Sequence, residues 1–160
     1  MLRSISLALL LGWASTSFAT TEVSGRVVGV LDGDTVELLL PEKKTVRIRL
    51  AEIDTPEKAQ PHGKKAKQAL SDKVFDKQVK VEVGGQDRYG RLLGHIYLGE
   101  RDINRELVAE GHAWVYVQYV RDRSLFDVET EARRSKRGLW ALPAKQRVAP
   151  WTWRKQRRRR

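Results

Sequence analysis

Cysteine is missing from all 160 residues. Its absence excludes disulfides, thiolate metal centres, a cysteine nucleophile and a thioether-linked lipid anchor. Histidine is scarce: His62, His95 and His112 are far apart and lack the His-x-x-x-His spacing that aims two imidazoles at one zinc ion, so each reads as structural or surface. Apolar runs are short. The stretch from Ile5 to Ala14 falls well below the roughly 20 residues needed to cross a bilayer. No internal repeat or low-complexity segment precedes the C-terminal tail. Chemistry is left to carboxylates, hydroxyls, imidazole, lysine, arginine or a hard cation.

Positive charge is plentiful: 31 Lys and Arg stand against 20 Asp and Glu, a formal net charge of +11. The length suits one domain with its own core, and 41% apolar residues is too high for a wholly disordered chain. Residues 1–19 read as a secretory signal peptide. Arg3 supplies the positive start, Ile5 to Ala14 the apolar run, and Ser17-Phe18-Ala19 a small-x-small cleavage site. The expectation is export, to periplasm or medium, with cleavage near Ala19. An exported chain without cysteine depends on packing or bound ions for stability.

At the other end, Arg154 to Arg160 holds six basic residues and no acid, so residues 20–153 carry only +4. Residues 144–160 therefore read as a basic, Trp- and Arg-rich tail appended to a domain at 20–143. The run of charge is a solvated brush, an electrostatic handle on polyanions, or a contact to an anionic membrane surface. Charge alone does not choose among these. Trp151 and Trp153 either stack on bases or fold back on the domain, and the size of their rings favours folding back.

Along the remaining chain, Val23 to Leu31 and Thr35 to Leu40 are β-rich runs joined through Asp32-Gly33, a hairpin dipeptide. Thr45 to Ile53 starts as a third strand, with Val46, Ile48 and Leu50 on one face and Arg47 and Arg49 on the other. Ala66, Ala69, Leu70 and Val74 form a helical stripe within His62 to Phe75. Val79 to Val83 alternates as a fourth strand, and Gly84-Gly85 is expected to turn the chain into a fifth, Arg88 to Leu98. Two helices follow: one near Ile103 to Val108, capped by Asp102, and one from Ser124 to Lys136, ended at Gly138. This order predicts an α+β fold, mainly β, in which five antiparallel strands suit an OB-type barrel accompanied by about three helices.

Three segments invite chemistry: Asp32-Gly33-Asp34-Thr35, Asp54-Thr55-Pro56-Glu57, and Asp87-Arg88-Tyr89-Gly90-Arg91. Each alone has a plain structural reading as a polar turn or helix start. Together they bring acids and arginines to the ends of neighbouring strands, the inventory for phosphate-ester hydrolysis. A phosphodiester is anionic, and attack by water builds further charge on phosphorus that must be stabilised. Arginine offers a permanently charged fork matching two phosphate oxygens. Carboxylate oxygens can hold a hard cation, and a separate carboxylate can orient or deprotonate water.

VLDGDTVEL (Val30 to Leu38), RLAEIDTPE (Arg49 to Glu57) and DRYGRLLGHIY (Asp87 to Tyr97) resemble the staphylococcal nuclease family, and the match runs from about Val23 to Trp140. GHAWVYVQY (Gly111 to Tyr119) and ARRSKRGLW (Ala132 to Trp140) are similar to its C-terminal portion. The resemblance implies an OB-fold barrel with three helices and a calcium-dependent phosphodiesterase acting on DNA and RNA. Asp34 and Asp54 would hold Ca²⁺ by their side chains and Thr55 by its backbone carbonyl. Glu57 would activate water, while Arg49 and Arg91 would grip the phosphate. Tyr89 and Tyr116 or Tyr119 would pack against the nucleotide, single-stranded or unpaired substrates would be favoured, and products would end in 3′-phosphate. A monomer with no obligate protein partner is expected. The resemblance, and not the alternation, prefers Arg49 to Arg47; five residues separate Arg49 from Asp54, so a bend must re-aim the acid. The alternative is an OB-fold module that binds nucleic acid without cutting it. Family members that are scaffolds have lost acids or arginines of the set, and here all five of Asp34, Arg49, Asp54, Glu57 and Arg91 are present.

Overall fold

Alternating side chains carry the first half of the chain into sheet. β1 (Thr21–Asp32), β2 (Thr35–Leu39) and β3 (Thr45–Leu50) form an antiparallel meander. In β3, Ile48 and Leu50 point inward while Arg47 is exposed, as the period-2 pattern demands. The structure is a computed structural model describing residues 21–158. The expected signal peptide and its cleavage site lie outside these residues.

β5 (Gln78–Gln86) pairs with β1, and β6 (Leu92–Leu98) pairs with β5. β6 then returns to β3, Arg49 lying opposite Leu93 in a parallel register. Pairing β6 with β3 closes the strand order β3-β2-β1-β5-β6 into a five-stranded barrel. The fold is thus the expected α+β, OB-type one. Its interior is filled by Val27, Val36, Leu38, Ile48, Val81 and Ile96, all fully buried. Each such side chain contributes about 1.5–3 kcal/mol by leaving water.

Asn104 secures the seam. Its side chain accepts from the Ile96 amide at 3.1 Å and donates to the carbonyls of Ala51 and Gly94 at 3.0 and 3.2 Å. A fully buried amide is tolerable only with its hydrogen bonds made, and these three tie β6 to the chain leaving β3.

Short strands complete the frame: β4 (Ile53–Asp54), β7 (Arg101–Asp102) and β8 (Trp114–Val115), with β4 antiparallel to β8. α1 (Gly63–Val74) buries Ala66, Leu70 and Val74. In α2 (Ile103–Ala109), Asp102 caps the Arg105 amide at 3.0 Å. α3 (Leu125–Arg134) is tied to β8 through Glu129, whose carboxylate accepts from the Val115 amide at 2.9 Å.

Two local expectations are corrected. Gly84-Gly85 does not turn the chain but lies inside β5, where a register shift between Val83 and Gly85 bulges the strand. The turn falls at Asp87 to Gly90, because the Asp87 carboxylate collects the amides of Tyr89 and Arg91 and Gly90 supplies φ 81°. A fourth helix, α4 (Pro150–Arg157), forms within the segment read as an appended tail. Pro150 starts it with a pre-set φ, and Trp151 supplies the ring that docks it on the domain. No helix among the described residues is long and apolar enough to cross a membrane.

At the start of α1, His62 adopts φ 73° and its Nε2 lies 2.9 Å from His112 Nδ1, so one ring donates and the other accepts. Burial, reinforced by His112 and Lys65, pushes the His62 imidazole down to about 4, and burial lowers His112 as well. An unfolded histidine titrates near 6.5. As pH falls from about 6.5 to about 4, the unfolded chain takes up protons that the folded chain refuses, so this contribution is complete above that window and lost through it. His62→Asn keeps a residue suited to positive φ and should flatten the rise of unfolding free energy across that range. Urea titrations at intervals of half a pH unit provide the check.

Candidate functional site

The site is built where the β1–β2 turn meets the chain leaving β3. Asp32 pairs with Thr35 across a two-residue turn, and Asp32 Oδ1 accepts the Gly33 amide at 2.9 Å. A Cβ on Gly33 would stand 2.7 Å from Thr55 Oγ1 and 3.0 Å from Ala66 Cβ, so the turn packs against α1 and the Asp54-Thr55 segment too closely for any side chain. Asp34, buried by this packing, accepts the Thr55 amide at 3.0 Å and the Thr55 hydroxyl at 2.9 Å on Oδ2. Thr35 Oγ1 donates to its other oxygen at 3.0 Å.

The bend required between Arg49 and Asp54 is at Glu52, whose φ of 66° ends the β3 direction and starts β4. Glu52 itself faces away from the site, held by the Asp122 amide at 3.1 Å. Arg49 fills the inside of the bend. Its guanidinium donates to the carbonyls of Leu50 and Ile53 at 2.7 and 2.9 Å and to Asp54 Oδ1 at 2.9 Å, and reaches Asp34 Oδ2 at 3.3 Å. Asp54 is 1% exposed. Breaking such a buried ionic set by deleting one partner costs about 3–5 kcal/mol.

Burial raises the proton affinity of Asp54, and the hydrogen bonds and charge of Arg154 and Arg49 oppose it only in part. Burial also raises Asp32, helped by the neighbouring charges of Asp34 and Glu57. Asp32 thus feels the charges of Asp34 and Glu57, and Asp54 that of Asp34, so cations are favoured near them.

Glu57 sits on the loop leading to α1. Its amide donates to Gln60 Oε1 at 3.1 Å, and its carbonyl accepts the Gln60 amide at 2.7 Å. Its carboxylate is met by a residue absent from the expected set. Arg154 of α4 donates through Nη1 to Glu57 Oε1 at 2.7 Å and to Asp54 Oδ1 at 3.2 Å, and through Nη2 to Asp54 Oδ2 at 2.7 Å. Burial works against the charged guanidinium, but the bonds to Asp54 and Glu57 outweigh it and raise its proton affinity. No local motif signals this pairing, since Arg154 is 97 residues from Glu57 and stands in a run of similar basic residues.

The other expected residues are distributed differently. Arg91 is engaged by Asp87, Nε to Oδ2 at 2.8 Å, and is not hydrogen-bonded to the acids. The register opposite Arg49 still assigns it to the same side of the sheet, two residues before Leu93. Tyr89 is 68% exposed on the β5–β6 turn with the Arg88 guanidinium 4.9 Å from its ring centre. Tyr116 is covered by Trp151, the two rings stacked at 5.3 Å and 3°, while exposed Tyr119 meets Tyr116 edge-on at 4.8 Å. Trp151 has therefore folded back onto the domain. Arg157 and Arg158, with Trp153, Arg154 and Glu57, line a cleft of about 220 Å³ beside the acids.

For a hard cation the donor set is suitable but incomplete. Asp34, Asp54 and the Thr55 carbonyl would offer oxygen donors, and Arg49 contacts both carboxylates within 3.3 Å, which places those two at one spot. Among the described residues no group of three or more acid or histidine side chains gathers for a metal. Such a centre would leave several of the 6–8 positions of calcium to water and substrate oxygens.

A sequence model described as "Staphylococcal nuclease homologue" matches residues 47–142. An uncharacterized endonuclease of Escherichia coli is 45% identical over 134 residues, covering 83% of this chain and 86% of that protein. A micrococcal nuclease of Shigella flexneri is 39% identical over 165 residues, covering 96% and 92%. An uncharacterized endonuclease of Haemophilus influenzae is 42% identical over 131 residues, covering 82% and 72%.

Placement of Glu57 depends on Gly63, where a Cβ would stand 1.9 Å from the Glu57 carbonyl oxygen. Gly63→Ala should cost about 1–3 kcal/mol by forcing that loop off α1. Urea unfolding of the variant measures this, and an unchanged midpoint would mean that the loop yields freely.

Proposed function

Because the chain belongs to the staphylococcal nuclease family, we propose that it is a calcium-dependent phosphodiesterase hydrolysing DNA and RNA with little sequence specificity. The observation that carries this reading is Arg49 bridging Asp34 and Asp54, with Glu57 joined to Asp54 through Arg154. That arrangement combines a cation-holding pair, a phosphate-binding guanidinium and a separate carboxylate in one corner.

Asp34, Asp54 and the Thr55 carbonyl would hold Ca²⁺, and a bound ion would supply charge neutralisation at the phosphate. Arg49 binds the non-bridging oxygens of the scissile phosphate and stabilises the charge that grows there. Glu57 accepts a proton from water as the water oxygen bonds to phosphorus. The bond from phosphorus to the 5′-oxygen breaks, and that oxygen takes a proton from solvent and leaves as a 5′-hydroxyl, while Glu57 returns its proton to solvent, so the other product ends in 3′-phosphate. Arg91 joins the phosphate by exchanging its Asp87 partner for substrate. Exposed Tyr89 and Tyr119 offer faces to unpaired bases, which favours single-stranded or locally melted substrates. The protein works as a monomer after export and cleavage near Ala19, with any membrane contact confined to the basic tail.

Residues 20–160 should digest single-stranded DNA and RNA in Ca²⁺ and stop when chelator is added. Glu57→Gln should lower the rate about 10²–10⁴-fold while nucleic-acid affinity stays within a few-fold. Tight binding with no cleavage in any divalent ion would make the chain a binding module instead.

The exposed arginines at the end of α4 add electrostatic grip on the polynucleotide. Replacing Arg157 and Arg158 by Gln spares Arg154 and should flatten the plot of log affinity against log salt by about 0.7 for each phosphate that these two side chains neutralise. An identical slope would restrict these two residues to solubility.

A further inference from the structure

The helix α4 lies beyond the residues matched by the family's sequence model, yet it forms a wall of the hydrolytic corner. It is fixed at both ends of its contact. Pro150 is buried, and Trp151 is stacked on Tyr116 and edge-on to Trp114 at 5.9 Å. The side-chain amide of Gln60 donates to the Val148 carbonyl just ahead of the helix, while the same side chain's oxygen accepts the Glu57 amide. One residue thus secures both the Glu57 backbone and the chain entering α4, and one turn into the helix Arg154 holds the Glu57 carboxylate.

A carboxylate with a free χ3 rotation presents its lone pairs in many directions, whereas proton transfer from water requires one. The planar fork of Arg154 spans two carboxylates at once, a geometry that a lysine point charge does not reproduce. It also supplies charge. Among the described residues, Arg49 and Arg154 are the cations paired with Asp34, Asp54 and Glu57, and with Asp32 close by the acids outnumber them. A guanidinium at this place offsets the repulsion that an incoming phosphodiester meets.

Resting on the nuclease reading, we propose that Arg154 is a positioning residue of the reaction: it sets the orientation of Glu57 and contends with the cation for Asp54. α4 is accordingly a working part of the site rather than an appended tail. Arg154 and a divalent cation compete for the Asp54 oxygens, so removing the arginine loosens Glu57 and at the same time frees Asp54 for the cation.

The experiment is kinetic and calorimetric. Arg154→Ala in the full mature chain should lower kcat about 10- to 100-fold with KM within three-fold, the effect of a catalytic group held out of line. Added to Glu57→Gln it should cost less than two-fold more, because both changes disable one unit. Calcium titration by calorimetry without nucleic acid should show affinity several-fold tighter than in the parent chain. Arg154→Lys should stay low in kcat because it keeps the charge and loses the fork. If Arg154→Ala proves poorly folded by circular dichroism, Arg154→Gln carries the same measurements. Unchanged kcat, or full additivity with Glu57→Gln, would overturn the assignment. So would a rise in kcat, which would make α4 a lid over the site. An inactive parent chain would instead refute the nuclease reading itself, a different result from an active parent indifferent to Arg154.

Discussion

Arg49 is the constraint on which the corner depends. Its guanidinium is 11% exposed and satisfies two backbone carbonyls and two carboxylates within 3.3 Å. The carbonyls belong to Leu50 and Ile53, the residues flanking the reversal at Glu52, so the same side chain that gathers the acids also braces the bend presenting Asp54. Two buried acids so close together would repel strongly; the bridging cation converts that repulsion into a preformed, oxygen-rich place for positive charge. Three hydrogen bonds and one ion contact of a single residue hold both the bend and the pair of acids.

The barrel makes this economical in sequence. Closure between β3 and β6 fixes the end of β3 on both sides, with Asn104 bonding across the seam to Ala51, immediately after the strand. The β1–β2 turn is pressed against the same end by the packing of Gly33 on Thr55 and Ala66. Asp34, on a turn packed against α1, and Asp54, on β4, therefore meet in a preset arrangement with little conformational freedom left.

Basic charge in this protein has two physical situations that composition cannot separate. Arg157 and Arg158 are exposed beside the cleft and act through water, where salt screens them. Arg154 is one turn earlier, directed onto Asp54 and Glu57, where hydrogen bonds and reduced solvation make its charge far more effective. The difference arises from docking, since Trp151 against Tyr116 and Trp114 sets which face of α4 looks into the corner.

Much of the architecture was legible in the linear chain. Alternation along β1, β2 and β3, the Ala66, Leu70 and Val74 stripe, and the Asp102 cap are local patterns, and local patterns follow from steric and hydrogen-bonding preferences within a few residues. The motifs around Asp34, Arg49, Asp54, Glu57 and Arg91 named candidate side chains through their resemblance to the family, and the structure gathers Asp34, Arg49, Asp54 and Glu57 while Arg91 pairs with Asp87. The position of the β5–β6 turn was misread because two glycines look like a turn until the partner strand's register makes them a bulge. The sequence by itself determined the barrel's strands, the helices α1, α2 and α3, and which acids and arginines are at hand near the end of β3. Only the tertiary structure decided that Arg154 meets Glu57 and that Trp151 covers Tyr116. Pairings across such distances depend on how closed surfaces pack, and no period or propensity along the chain encodes them.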